Sequence, residues 1–172
     1  RLAEYLNEMP VIQVVADNIE ADDVIAVLCR SDHYAGRSKI IVSSDKDFFQ
    51  LCDSETQIYR PIQDTITTEE TIVEQFGIHP NNFALARAMA GDKSDNLAGI
   101  RGAGLATISK RLDFLCEDKM HTLDDVYGYC SETESKVKFY SNVVENWDTV
   151  ETNYKVMNLT PPSISVQGRQ KI

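Results

Sequence analysis

The chain has 172 residues, 42% hydrophobic and 26% charged, with 17 Lys and Arg against 27 Asp and Glu for a formal net charge of -10. This length buries one substantial core with a small helical appendage, and the composition excludes a disordered chain. The acidity excludes a protein that coats nucleic acid without discrimination, but not one that binds DNA beside metal-neutralised carboxylates.

The longest uninterrupted apolar run, Val24 to Cys29, is far short of the ~20 residues of a membrane span. Arg1-Leu2-Ala3-Glu4 lacks the basic-then-apolar layout of a signal peptide, so the expected setting is intracellular, with no membrane partner. Cys29, Cys52, Cys116 and Cys130 show neither C-x-x-C pairing nor zinc spacing, which points to reduced thiols filling core space. His33, His79 and His121 stand isolated and read as exposed or capping residues.

Leu2, Tyr5, Leu6 and Met9 have helical spacing, Pro10 stops that helix, and Val11 to Val15 reads as a buried strand. A start in mid-helix at Arg1 suggests the later part of a longer protein. Glu20 to Ser31 is a broadly apolar helix with Glu20 and Asp23 on one face of its first turn and Asp22 beside them. Acids there compensate the helix dipole or gather a cation, and the segment alone does not decide which. Ser38 to Ser43 is a second, central strand, with Asp45 and Asp47 at its carboxyl end, where open parallel α/β sheets bind ligands. In a loop, carboxylates at i and i+2 can turn toward one ion; otherwise they cap the short Phe48 to Leu51 helix.

Gln57 to Arg60 and Thr65 to Ile66 form a hairpin-type pair, and Thr67 with Glu70 fits a capping box for a helix that Gly77 ends. Pro80 and Asn81-Asn82 open the next helix, closed by Gly91. Asp92 therefore sits against the negative end of a helix dipole and needs a compensating cation, for which a metal ion is one choice. Gly99, Gly102 and Gly104 then punctuate a turn into a helix from about Ala103, whose first N–H groups suit a phosphate oxygen. Residues 87 to 111 carry Arg87, Lys93, Arg101, Lys110 and Arg111 against Asp92 and Asp95, five charges less two, a local +3. From Asp113 to Asn153 ten acids face three lysines, with helical patterning at Leu123 to Tyr129 and Val137 to Trp147, which reads as a solvated helical cap. Trp147, Tyr154 and Met157 read as core, Pro161-Pro162 ends structure, and Ser163 to Ile172 reads as a tail.

Glu20, Asp22, Asp23, Asp45, Asp47, Asp92 and Asp95 are thus candidate oxygen ligands with no His or Cys among them, a donor set that suits Mg²⁺ or Mn²⁺ rather than zinc. Such ions generate hydroxide and neutralise a transferring phosphorus group, which is what phosphodiester hydrolysis needs.

The blocks Glu20-Ala21-Asp22-Asp23, Ser44-Asp45-Lys46-Asp47-Phe48, Gly91-Asp92-Lys93-Ser94-Asp95-Asn96 and Gly99-Ile100-Arg101-Gly102-Ala103-Gly104-Leu105-Ala106-Thr107 resemble, in order, motifs of the structure-specific 5′-nucleases. That family includes flap endonucleases, bacteriophage 5′-exonucleases and the 5′-nuclease domain of bacterial DNA polymerase I, and the likeness covers roughly residues 11 to 112. The resemblance implies an α/β fold with a PIN-like parallel sheet flanked by helices, a helix-three-turn-helix DNA-binding motif and a helical cap. Residues 1–90 would be the remaining nuclease core, 91–160 the turn motif and helical region, and 161–172 the tail. It implies a two-metal mechanism, with Glu20, Asp22, Asp23, Asp45 and Asp47 ligating ions and Asp92 and Asp95 completing the second site; Glu20, Asp22, Asp45 and Asp47 would be the catalytic group. Lys93, Arg101, Gly102, Gly104, Thr107, Lys110 and Arg111 would grip duplex phosphates, in related enzymes often with K⁺ on the carbonyls of the Gly99 to Gly104 turn.

The implied substrates are branched or nicked duplex DNA, or an RNA-DNA primer, in the cytoplasm of a bacterial or phage-infected cell. The family's first strand, its Asp and the helical arch do not precede Arg1, so the expected partner is a missing amino-terminal segment of the same protein. Two other readings compete. A junction-binding module without cleavage would keep the turn alone. A haloacid-dehalogenase-type phosphatase would share Asp45-Lys46-Asp47, but carries Thr or Val where this chain has Phe49.

Overall fold

The computed structural model describes residues 2–159, so the Pro161-Pro162 stop and the tail expected beyond it lie outside the described residues. Three strands form one sheet in the order β1 (Lys39–Val42), β2 (Thr56–Arg60), β3 (Thr65–Thr67). β1 runs parallel to β2 with Ile41 opposite Ile58, and β3 returns antiparallel with Thr67 opposite Ile58. Because side chains alternate across a strand, Ile41, Thr56, Ile58 and Thr67 face the core and are buried. The opposite face carries Ile40, Val42 and Ile66, which remain 57%, 67% and 52% exposed. The expected central position of β1 is corrected: β2 is central, and β1 is an edge among the described residues.

Val11 to Val15 is a second correction, because it forms no strand and its Ile12 and Val15 are 88% and 85% exposed. A strand needs neighbouring N–H and C=O groups to pair with, and none of the described strands pairs with this run. It follows α1 (Leu2–Leu6) and leads to α2 (Ala21–Cys29).

The core is built on α4 (Pro80–Ala90), buried on nearly every side because Phe83, Leu85 and Met89 alternate with the small Ala84, Ala86 and Ala88. Pro80 begins it with a pre-set φ, and the His79 side chain accepts from the Asn81 N–H as cap. Phe83 packs on Phe49 and Phe76 at ring-centroid distances of 5.3 and 5.4 Å. α4 contacts α8 (Trp147–Met157) and the 3₁₀ turn Asp47–Leu51, and thereby joins the helical half of the molecule to the end of β1. Gln50 reinforces that joint by donating to Asp47 O and Met157 O and accepting from Leu159 N–H. Asn82, fully buried, donates to the carbonyls of Leu115, Glu117 and Lys119 and accepts from His121 N–H, which pins the loop before α6 (Leu123–Glu132).

α3 (Glu69–Phe76) has its capping box on Thr68 and Thr71 rather than on Thr67 and Glu70, because Thr67 is spent as the buried last residue of β3. Gly77 closes α3 in the left-handed region, as expected. The region read as a solvated cap resolves into α6, α7 (Lys138–Glu145) and α8, and Val126, Phe139, Val143 and Val150 join it to the core. Met157 is buried there and Trp147 and Tyr154 pack against it. All four cysteines are free; Cys52 and Cys130 are buried, whereas Cys116 is exposed and fills no core space.

The turn between α4 and α5 (Leu105–Arg111) uses its glycines in different ways. A Cβ on Gly99 would stand 1.9 Å from the Ala90 carbonyl oxygen, so this glycine permits two backbone segments to touch. Gly102 has φ +85°, a left-handed residue in open space, whereas Gly104 has φ -68° and no obstruction. Gly99→Ala should therefore lower the midpoint of thermal unfolding by several degrees while Gly104→Ala leaves it nearly unchanged, a contrast that circular-dichroism melts of the two variants would measure.

Candidate metal centre and nucleic-acid interface

Glu20 is the N-cap of α2, with extended backbone and no side-chain capping bond, and Asp22 and Asp23 occupy the first turn. Asp45 and Asp47 follow β1, where Ser43 Oγ accepts from Asp45 N–H at 3.1 Å and Asp45 Oδ1 accepts from Asp47 N–H at 2.9 Å. This turn directs both carboxylates to the same side. Glu20, Asp22, Asp23, Asp45, Asp47 and Asp95 line one cavity of about 530 Å³, closed on another side by residues 155–159 at the end of α8. Burial raises the Asp22 pKa, and the charges of Asp45, Glu20, Asp23 and Asp95 raise it further. Mutual repulsion of this kind is what a divalent cation relieves. The cavity wall carries carboxylates and no His or Cys, a donor set that fits a hard cation.

Asp92 sits apart from that wall, but oxygens of Asp47, Asp92 and Asp95 lie within 4.8 Å of one another. The cation that Asp92 needs is supplied by the protein. Arg87, one turn back on α4, donates from Nε to Asp47 Oδ1 at 2.9 Å and from Nη2 to Asp92 Oδ2, while Ser94 donates its N–H and hydroxyl to Asp92 Oδ1. The compensating cation expected at Asp92, for which a metal ion was one choice, is supplied by a guanidinium with 10% side-chain exposure. The bonds from Ser94 and Arg87 hold the Asp92 pKa down at about 2. Burial raises that of Asp47 in spite of Arg87. Both oxygens of Asp92 are therefore engaged within the chain. Asp47 keeps Oδ2, and Asp95 is exposed.

Sequence reasoning counted Arg87 only as local positive charge. Its i, i+5 relation to Asp92 was visible, but its bond to Asp47, forty residues earlier, was not. Lys155 on the cavity wall carried no sequence signal at all, being sixty or more residues from the acids it faces.

The second feature lies beyond Asp92. A short antiparallel bridge between Asp92 and Leu97 closes the loop after α4, and Ile100 N–H donates to Met89 O to set the following turn on the helix end. Ile100 and Ala103 are buried beneath that turn, so Arg101 and Gly102 are pushed outward. Arg101, Gly102, Thr107 and Arg111 line one groove of about 440 Å³ together with Val137, Lys138, Phe139 and Asn142 of the helical cap. Of the other residues expected to hold DNA, Lys93, Gly104 and Lys110 are exposed but do not line this groove. No helix among the described residues is long and apolar enough to cross a membrane.

Comparison with known proteins adds a family to this geometry. Residues 1–77 match the model of the 5′-3′ exonuclease, N-terminal resolvase-like domain. The chain is 39% identical over 88 residues to a 5′-3′ exonuclease of Aquifex aeolicus, covering 51% of this chain and 30% of that protein. It is 31% identical over 134 residues to a 5′-3′ exonuclease of Buchnera aphidicola, covering 78% and 45%. With the thermostable DNA polymerase I of Thermus filiformis it shares 32% identity over 112 residues, 65% of this chain and 13% of the polymerase. The chain thus spans less than half the length of each of these relatives. The fold matches that of a T5 5′-exonuclease structure at TM-score 0.75 and 17% identity, over 93% of this chain and 66% of that one. It matches a bacteriophage T5 flap endonuclease complexed with DNA and metal ions at TM-score 0.77 and 16% identity, over 98% and 62%. The stretch that carries Glu20, Asp22, Asp23, Asp45 and Asp47 is thus similar in sequence to 5′-3′ exonucleases, and the chain shares the α/β fold of the T5 nuclease structures.

Proposed function

We propose that this chain is the metal-binding and duplex-binding portion of a structure-specific 5′-nuclease, a 5′-3′ exonuclease or flap endonuclease acting on branched or nicked DNA or on an RNA-DNA primer. The observation that carries this reading is the convergence of Glu20, Asp22, Asp23, Asp45, Asp47 and Asp95, from three separated places in the chain, on one cavity. Its setting would be the cytoplasm of a bacterial or phage-infected cell.

Two Mg²⁺ or Mn²⁺ ions bound there would supply an activated water and neutralise charge on the transferring phosphorus group. Glu20, Asp22, Asp23 and Asp45 would hold one ion, and Asp47, Asp95 and the anchored Asp92 the other. Arg87 orients Asp47 and Asp92 by occupying one oxygen of each and leaves Asp47 Oδ2 for a ligand. Residues 1–90 would act as the nuclease core, and residues 91–160 as the turn motif and helical region. Arg101, Gly102, Thr107 and Arg111 would hold duplex phosphates, with Lys93, Gly104 and Lys110 on the flanks and K⁺ on the carbonyls of the Gly99 to Gly104 turn. Phosphate contacts of this type position a duplex without reading its bases.

The exposed apolar face of Ile40, Val42 and Ile66, with the exposed Ile12 and Val15 ahead of α2, supports a fold completed by a further segment. Exposed apolar clusters of this kind mark covered surfaces in the intact protein. That segment would bring the first strand, its carboxylate and the arch, and joining it to this chain should give Mg²⁺-dependent cleavage of a 5′-flap substrate. Cleavage equally strong without it would overturn the proposed division of the site; absence of cleavage in both forms would leave a duplex-binding module.

Three further outcomes are expected. Mg²⁺ should raise the thermal midpoint of the wild-type chain and not that of Asp45→Asn, measured by calorimetry at constant ionic strength. Arg87→Ala leaves a buried carboxylate without its cation and should cost about 3–5 kcal/mol in urea unfolding. The folded pKa of Asp92, about 2, lies below the unfolded value near 3.9. Its contribution to stability is therefore complete above roughly pH 4 and lost as pH falls toward 2. Asp92→Asn should flatten that acid limb of a stability-against-pH curve. Asp47 carries the opposite sign, since its raised pKa makes ionisation unfavourable to the fold.

A further inference from the structure

The groove beside the Gly99 to Gly104 turn has two walls. One is the turn with α5, and the other is the start of α7, a helix in a region whose composition is acidic. Three cations meet there from three elements: Arg101 from the turn, Arg111 from the last residue of α5, and Lys138 from the first residue of α7. No carboxylate lines the groove. Among the described residues none of these three cations takes part in an ion pair, whereas Lys39 and Arg87 are both paired with acids. In a chain of net charge -10 a carboxylate-free meeting of unpaired cations is a local reversal of sign, which attracts an anionic partner.

The wall on α7 is fixed in place. Phe139 and Tyr140 are buried and hold the helix against the core, and the Tyr140 hydroxyl donates to Arg111 O at 3.4 Å. Asn142 Nδ2 donates to Arg101 O at 3.0 Å, which ties the second turn of α7 to the backbone of the residue that leads the other wall. Lys138 is exposed and begins this anchored helix, so its ammonium is held near the groove at the cost of little more than its own rotamer freedom.

We propose that α7 is the second wall of the duplex-binding site, with Lys138 holding a backbone phosphate and Asn142 acting as a positioning residue for the Arg101 turn. This rests on the nuclease reading above and extends it to a helix that sequence composition had assigned to solvent. The occupant is a duplex rather than a single strand. The one aromatic ring on the groove wall, Phe139, is 4% exposed and offers no face on which a base could stack. A lysine presents a point charge suited to a backbone phosphate oxygen and carries no sequence information.

The test uses the whole chain and fluorescence anisotropy with a nicked duplex, a single strand of equal length and a phosphoserine peptide, in EDTA over a salt series. Each lost phosphate contact lowers the slope of log affinity against log salt by about 0.9. Lys138→Ala should weaken duplex binding several-fold and reduce that slope by about one contact, and Lys138→Arg should restore both. Asn142→Ala should weaken binding with the slope unchanged, because it removes no charge. Lys119→Ala, an exposed lysine away from the groove, should change neither by as much. Unchanged affinity and slope for Lys138→Ala, with binding lost in Arg101→Ala, would overturn the role of α7 and leave the nuclease reading intact. Failure of the wild-type chain to bind the duplex, or preference for the single strand or the peptide, would overturn this proposal, and the first of these would overturn the duplex reading as well.

Discussion

The arrangement depends on one guanidinium held between two carboxylates. Arg87 reaches back from the last turn of α4 to Asp47 and forward to Asp92. In doing so it fixes the distance between the loop after β1 and the loop after α4, which are otherwise separate parts of the chain. A buried charge is tolerated only with partners, so these three residues act as a unit. Every other acid of the cavity is placed relative to it. Asp45 is linked to Asp47 through the backbone, Asp95 follows Asp92 by three residues, and α2 brings Glu20, Asp22 and Asp23 to the opposite wall.

Around that unit the protein keeps a deliberate imbalance. The cavity gathers more negative charge than Arg87 and Lys155 can offset, and burial together with that charge raises the pKa of Asp22. A fold that holds repelling carboxylates together does so with packing elsewhere. The buried aromatic group of Phe49, Phe76 and Phe83, and the Gln50 bonds that clamp the end of α8 to the Asp47 turn, serve that purpose. The resulting site is short of positive charge by design of its donors, while the groove at the turn is short of negative charge. The duplex and divalent ions of the proposed function would satisfy both.

Much of the fold was legible in local pattern. Apolar periodicity located α2, α4 and the region of α6 and α7, Gly77 and Gly91 marked helix ends, and the hairpin-type pair expected at Gln57 to Arg60 and Thr65 to Ile66 corresponds to β2 and β3, which ends one residue later at Thr67. Two errors share one cause. Val11 to Val15 has strand composition but no strand beside it, and Ile40 with Val42 makes β1 look central although its outer edge and face are bare. Composition reports what a segment could bury, and only neighbours decide whether it does. The capping box slipped by one residue because β3 claims Thr67 first.

By itself, the sequence determined the likeness to 5′-nucleases, through the order of its short acidic blocks, together with the all-oxygen donor type of those blocks and the glycine turn ahead of α5, since each depends on residues within a few positions of one another. Tertiary structure alone decided that Arg87 joins Asp92 to Asp47, that Lys155 faces the acids, and that α7 stands across the groove from Arg101. Apart from the local Arg87–Asp92 pair, those facts rest on contacts between segments forty or more residues apart, as from Arg87 to Asp47 and from Asn142 to Arg101. No local period encodes them; they arise when α4 is buried and the rest of the chain closes around it.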